Sequence, residues 1–382
     1  MKKIGIYIHI PFCMQKCYYC DFCSYAGKLE MQNKYINSLL KEIDEIKNKN
    51  EYQINTIYIG GGTPSVIDAE LIQKLIKKIN SSFNISNSAE VTIEVNPGTV
   101  NEEKIKKYKE SGINRISIGL QSAKDELLKV IGRIHNYNDF ENAYNIIAES
   151  GFSNINVDVM IGLPSQTIED VEDTINKIIR KNPTHISVYS LIVEPGTIIE
   201  SMINSGKYKL PDEDVERKMY WLVKHVLEQN GYIQYEISNF AKEGFKSKHN
   251  SDCWEQKEYI GLGAAAHSYI NATRYSNTSN LEEYIENIEK NQFSKNIKIH
   301  EKQDKVDMMK EYMIIGLRKI SGINVNSFMQ KFKCNPLVIF EEQINKMKNL
   351  NLLQVDNNLD NCYIKLTDKG IDFANIVWEE FI

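Results

Sequence analysis

Six short apolar segments alternate with amphipathic ones through the first two-thirds of the chain, and this rhythm limits the fold more than any other feature. The strand candidates are 3–10, 54–60, 90–96, 115–120, 154–162 and 185–193. Helical patterns fill 31–48, 68–80, 102–110, 138–149 and 168–180 between them. Repeated strand–helix units predict an α/β protein with a parallel sheet under covering helices, and six units can close part of a barrel. In such a barrel the chemistry gathers at the C-terminal ends of the strands. The cysteines after the first segment, "GGGTPS", Asn96-Pro97, Gln121 and "IGLPSQ" all follow strands.

The rhythm changes near residue 300. Helices are predicted over 304–319, 325–333 and 336–348, then two strands around an Asp/Asn-rich turn in "LLQVDNNLDNCYIKLT" and a last helix. Helices with a hairpin wing predict a winged-helix-like module at 300–382, behind a larger domain at 1–295. A net charge of −5 and the lack of a basic run argue against a nucleic-acid partner, so the module is read as a packing or docking unit. No apolar run reaches the roughly 20 residues that span a bilayer. The apolar start "IGIYIHI" is short, ends at Pro11 and has no small-residue cleavage site, so it is read as a strand and not as a signal peptide. The expected address is the cytoplasm, where clustered thiols serve as metal ligands before they form disulfides.

Four of the seven cysteines lie in "CMQKCYYCDFC" (13–23). Cys13, Cys17 and Cys20 make C-x3-C-x2-C, and Cys17, Cys20 and Cys23 make C-x2-C-x2-C. A bacterial ferredoxin run would place a fourth cysteine and a proline after the second pattern, but Gly27 stands there. Structural zinc favours two separated pairs, which this loop lacks.

C-x3-C-x2-C after the first strand of an α/β barrel resembles the radical S-adenosylmethionine (SAM) enzymes. That resemblance implies a [4Fe–4S] cluster on Cys13, Cys17 and Cys20, with Cys23 a bystander. Three thiolates leave one iron open to the amino and carboxylate groups of SAM, whose reductive cleavage yields a 5′-deoxyadenosyl radical. "IYIGGGTPS" looks like the family's glycine-rich strand-end loop, where glycines admit close backbone approach. Ser65 in the third glycine's place makes a dinucleotide fingerprint a poor fit.

The more detailed resemblance is to the coproporphyrinogen III oxidase-like branch, through "YIHIPFCMQKCYYCDF", "GGGTPS", "EVNPGTV", "RISIGLQS", "VDVMIGLPSQT" and "YSLIVEPGT". It implies that Tyr7, Gly61, Glu94, Gln121, Arg133 and Asp158 contact SAM. It further implies that Tyr19, Gly62 and Thr63 match contacts to a second SAM in the oxidase. Phe22 stands where the oxidase has a further cysteine, and only a short segment precedes Cys13. Both features resemble the sister family, the heme chaperones HemW. "HNSDCW" (249–254) is similar to that family's H-N-x-x-Y-W heme motif, with Cys253 in place of tyrosine. The resemblance implies heme as a further cofactor, with His249 as axial ligand and Cys253 either a substitute or a second donor, since imidazole and thiolate both ligate heme iron. His267, beside a Gly/Ala-rich turn, is read as structural. The implied partners are heme, an acceptor hemoprotein and an electron donor of flavodoxin or ferredoxin type, with a peripheral membrane contact compatible with that role. The rival readings are an oxygen-independent coproporphyrinogen III oxidase and a related radical SAM enzyme acting on heme.

Overall fold

The computed structural model describes residues 1–358 and 361–382. Six parallel strands follow one another in chain order: β1 (Lys2–Ile10), β2 (Tyr52–Gly61), β3 (Asn84–Val95), β4 (Arg115–Gln121), β5 (Asn154–Ile161) and β6 (His185–Ser190). Helices connect them: α1 (Gln32–Glu45), α2 (Ala69–Ser82), α3 (Glu102–Glu110), α4 (Tyr137–Glu149) and α5 (Ile168–Lys181). This is the parallel α/β arrangement that the alternation predicts. Local chemistry starts the helices: Asn136 with Asp139, and Thr167 with Asp170, form capping boxes at α4 and α5. On α5 the buried Val171, Thr174, Ile175 and Ile178 recur at helical spacing and face the sheet.

Each strand separates two kinds of side chain by parity. Ile4, Ile6, Ile8 and Ile10 of β1 are buried beneath the helices, while Gly5, Tyr7 and His9 alternate with them. Val91, Ile93 and Val95 do the same on β3 against Glu90, Thr92 and Glu94, and Ile116, Ile118 and Leu120 on β4 against Arg115, Ser117, Gly119 and Gln121. The aliphatic set joins one continuous core. The other set gives the concave side of the sheet a polar lining, where an ordinary barrel carries packed aliphatic layers.

The sheet extends beyond these six strands, which the sequence reading did not anticipate. β7 (Ile233–Glu236), after helix α6 (Glu213–Gln229), and β8 (Asn239–Ala241) run antiparallel beyond β6. On the other edge β9 (Tyr259–Leu262), after helix α7 (Lys248–Trp254), pairs parallel with β1. Antiparallel β10 (His267–Ile270), β11 (Thr273–Asn277) and β12 (Ile297–Lys302) complete a 12-stranded sheet. These strands are short or lie at an edge, so their apolar runs are weak signals. His267 stands exposed on β10, stacked on His300 with ring centroids 5.2 Å apart.

Beyond residue 304 come α8 (Lys305–Gly316), α9 (Val325–Phe332) and α10 (Glu341–Asn349) with a three-stranded sheet. That sheet is β13 (Ile323–Asn324), β14 (Leu353–Asn358) and β15 (Asn361–Leu366), in the order β13-β15-β14. β14 and β15 form the hairpin expected there; the tip of its expected Asp/Asn turn, residues 359 and 360, lies outside the described residues. Phe340 packs edge to face with Phe328 and with Phe381, and Phe332 lies tilted on Phe328, in the same apolar cluster as the main core. Among the described residues, no helix is long and apolar enough to cross a membrane.

Candidate active site

A cavity of about 370 Å³ opens at the C-terminal ends of β1–β6. Cys13, Cys17, Cys20, Tyr19, Gly61, Gly62, Thr63, Glu94, Gln121, Arg133 and Asp158 all line it. Residues up to 145 positions apart in the chain thus meet because parallel strands bring their C-terminal ends to one rim (158 − 13 = 145).

Backbone pairing shapes the cysteine loop. Phe12–Cys13 pairs with Tyr25–Ala26, and the Cys20 amide donates to the Cys17 carbonyl at 3.2 Å. Cys23 points elsewhere: its Sγ lies 3.2 Å from the Ser279 carbonyl, and its own carbonyl accepts from His9 Nε2 at 2.8 Å. That carbonyl can only accept, so His9 carries its proton on Nε2, leaving Nδ1 to accept from the Tyr7 hydroxyl at 2.9 Å. Tyr7 therefore supports the loop from below and does not line the cavity.

Glycine is required at two positions here. Gly61 has φ +115°, and a Cβ there would lie 2.6 Å from the His9 ring. A Cβ on Gly62 would lie 2.7 Å from the Phe12 carbonyl oxygen and 3.0 Å from Cys13 Sγ. Gln121 pays a related cost: its φ of 73° falls in the left-handed region, worth of order 1–3 kcal/mol for a non-glycine residue. Strain of this kind persists where surrounding structure enforces it, and here it turns a buried amide toward the cavity.

A hydrogen-bonded chain runs round the mouth. Thr63 Oγ1 lies 3.5 Å from Cys13 Sγ and accepts from Asn96 Nδ2 at 3.0 Å. Asn96 Oδ1 accepts from Arg133 Nη1 at 3.0 Å, and Arg133 Nη2 donates to the Tyr19 hydroxyl at 2.8 Å. Two carboxylates form the floor. Glu94 accepts from the Tyr58 hydroxyl at 2.7 Å and the Gly61 amide at 3.2 Å. Asp158 accepts from Asn156 Nδ2 at 2.7 Å and Ser117 Oγ at 3.1 Å. Burial raises both acids, and Asp158 adds to the rise at Glu94, which reaches about 7. An unpaired cation entering the cavity meets the groups that would balance it.

Cys13, Cys17 and Cys20 all face the one cavity. Among the described residues, no three His, Cys, Asp or Glu side chains converge to hold a single metal ion. A cubane takes each thiolate on a different iron, so its ligands need only face one space. Burial raises the Cys13 and Cys20 thiols, so bound iron is what would hold them as thiolates.

Tyr58, Ser117, Gly119, Met160 and Tyr189 also line the cavity and were missed by the sequence reading. Strand parity was the available signal: 58 lies two before Gly60, 117 and 119 precede Gln121, and 160 follows Asp158 at the same spacing.

His249 and Cys253 lie away from the cavity, four residues apart on α7. His249 is 7% exposed, pairs through Nδ1 with Thr56 Oγ1 at 2.9 Å, and stacks on Tyr58 with centroids 5.2 Å apart. Its backbone N–H and that of Lys248 donate to the Glu90 carboxylate at 3.1 and 3.0 Å. Burial lowers the imidazole to about 4 and pushes the Cys253 thiol up to about 12. At neutral pH the pair is therefore a neutral imidazole and a protonated thiol.

The fold and the cysteine-lined cavity are those of a radical SAM protein: the Radical SAM superfamily model matches residues 7–178. The solved structure of coproporphyrinogen III oxidase (HemN) from Escherichia coli superposes with a TM-score of 0.84, covering 100% of this chain and 90% of that one. At 22% identity that likeness concerns the fold. The heme chaperone HemW of Lactococcus lactis is 37% identical over 382 residues, 100% of this chain and 98% of its own. HemW of Bacillus subtilis is 40% identical over 85% of this chain and 86% of its own, and that of Escherichia coli 38% over 71% of each. This chain belongs to the HemW family. Radical SAM membership brings with it a [4Fe–4S] cluster and SAM.

Proposed function

We propose that this protein is a heme chaperone that carries a [4Fe–4S] cluster, binds SAM, and passes heme to an acceptor hemoprotein. The observation that carries the reading is identity of 37% with a heme chaperone along the full chain. Cys13, Cys17 and Cys20 are the cluster ligands on this reading. When bound, the cluster supplies an electron and an open iron for SAM. The protein's own part is to orient and to neutralise: Glu94 and Asp158 balance SAM's positive charge, and Arg133 with Asn96 and Tyr19 holds the mouth in shape. Gly61 and Gly62 leave room for backbone to approach the ligand. Tyr19, Gly62 and Thr63 are read as contacts to a second SAM, tested by a calorimetric stoichiometry of two.

For heme, His249 is the favoured ligand over Cys253. A neutral imidazole is the ligating form, and burial keeps His249 neutral, whereas burial keeps Cys253 a thiol. His249 Nδ1 is engaged with Thr56 Oγ1, so Nε2 is the nitrogen this reading gives to iron. Residues 1–295 would carry the cofactors, with 300–382 as a packing and docking module. The electron donor would be a flavodoxin or ferredoxin, and any membrane contact peripheral.

Titrating heme into reconstituted protein while following the Soret band tests the reading. Binding should be reduced or spectrally altered in His249→Ala with iron–sulfur content retained, and nearly unchanged in Cys253→Ala. The holoprotein should then load an apo-cytochrome with heme. Consumption of coproporphyrinogen III by a preparation that binds no heme would overturn the chaperone reading in favour of the oxidase.

A further inference from the structure

The imidazole of His249 and the SAM cavity share a side chain. Tyr58 points from β2 into the polar interior and lines the cavity. Its hydroxyl donates to Glu94 Oε1 at 2.7 Å, while Glu94 Oε2 accepts from Gly61, which also lines the cavity. Its ring stacks on His249 at 5.2 Å and 29° between planes, and on Tyr7 at 6.3 Å and 25°. We propose that Tyr58 joins the two sites into one linked unit, so that SAM binding and heme capture oppose each other. The inference rests on His249 being the heme ligand, as argued above.

The argument begins with access. His249 is 7% exposed, is tied to Thr56, and lies beneath the strands. Gly5 of β1 leaves no slack beside it, since a Cβ there would sit 2.8 Å from Thr56 Oγ1 and 3.4 Å from the His249 ring. A rigid macrocycle cannot enter that space, so the imidazole must leave its seat between Gly5 and Tyr58 to meet heme iron. Departure removes the stacking partner that fixes the Tyr58 ring, and with it the orientation of the hydroxyl holding Glu94. SAM gains from the opposite state, with Glu94 held by Tyr58 and the Gly61 amide and aimed at a cationic ligand. SAM therefore favours His249 seated, and heme favours it released. Two ligands that prefer opposite states weaken each other by one common factor. In a chaperone this sign has a use: arrival of SAM promotes release of heme to the acceptor.

The test uses full-length, cluster-reconstituted protein with hemin and SAM as probes. Heme dissociation constants come from Soret titrations with and without saturating SAM, and SAM constants from calorimetry. Saturating SAM should weaken heme binding by at least about fivefold, the low end of typical site–site coupling. His249→Ala, which removes the ring without any heme, should weaken SAM binding by a similar factor at unchanged iron content. Tyr58→Phe keeps the ring and removes the bond to Glu94, and should cut the effect of SAM on heme binding below about twofold, whatever the absolute affinities. Coupling that survives Tyr58→Phe would overturn the role of Tyr58. Equal heme affinity with and without SAM, in protein whose cluster spectrum shows SAM bound, would overturn the linkage. If His249→Ala leaves the Soret titration untouched, the heme assignment fails instead, and the SAM affinity of that variant still decides whether His249 and the cavity are linked.

Discussion

Glu94 provides the most quantitative handle on the cavity. Its carboxyl is enclosed beside Asp158, and desolvation with that like charge raises it to about 7. SAM brings positive charge, so the ionised form of Glu94 is the one that binds. The sign follows: protein with Glu94 protonated must lose that proton on binding, so affinity rises with pH up to the raised pKa and levels off above it. With a pKa near 7, the ionised fraction grows from ~3% at pH 5.5 to ~50% at pH 7.0, a ~15-fold gain in apparent affinity or ~1.6 kcal/mol. This window lies below the ~7.7–8.0 range of α-amino groups, so the ammonium of SAM does not change within it. Calorimetric titration of reconstituted protein with SAM at half-unit steps of pH would measure the slope. Glu94→Gln should bind SAM weakly, with most of the pH dependence gone, at unchanged iron content. A wild-type affinity that is flat from pH 5.5 to 7.0, or a slope that survives Glu94→Gln, would refute the reasoning.

Other substitutions separate the roles assigned above. Cys13→Ala, Cys17→Ala and Cys20→Ala should each lose the iron–sulfur absorption, whereas Cys23→Ala, whose Sγ faces the Ser279 carbonyl, should keep it; iron analysis distinguishes the outcomes. Gly62→Ala forces a Cβ to 2.7 Å from the Phe12 carbonyl oxygen and should cost about 1–3 kcal/mol in urea unfolding while impairing cluster retention. Ile175→Ala on α5, buried against the sheet far from the cavity mouth, should cost about 2–5 kcal/mol and leave the iron content of the surviving folded protein intact.

The sequence by itself determined the parallel part of the sheet and the cysteine loop. Apolar residues at every second position of segments such as "KIGIYIHI" must bury one face, and amphipathic segments between them must cover it, so order and direction follow from local pattern. Spacing put four cysteines on one short loop in two overlapping triads, and the radical SAM resemblance made Cys13, Cys17 and Cys20 the expected ligands; groups so close in the chain need no tertiary structure to be near one another. Tyr58, Ser117 and Tyr189 went unmarked in the sequence reading, and only the assembled strands brought them to one cavity. Tertiary structure alone decided the rest. Edge strands β7–β12 form because neighbours offer unpaired backbone, which short segments do not advertise in their own composition. The surroundings of His249 were equally hidden. Thr56, Glu90 and Gly5 lie 159 to 244 residues away in the chain (249 − 90 = 159; 249 − 5 = 244), and only the closing of α7 beneath the sheet turns a motif histidine into a buried, neutral one stacked on Tyr58. A motif fixes which group is present; its charge, access and neighbours come from the fold, because desolvation and hydrogen bonding depend on everything packed around it.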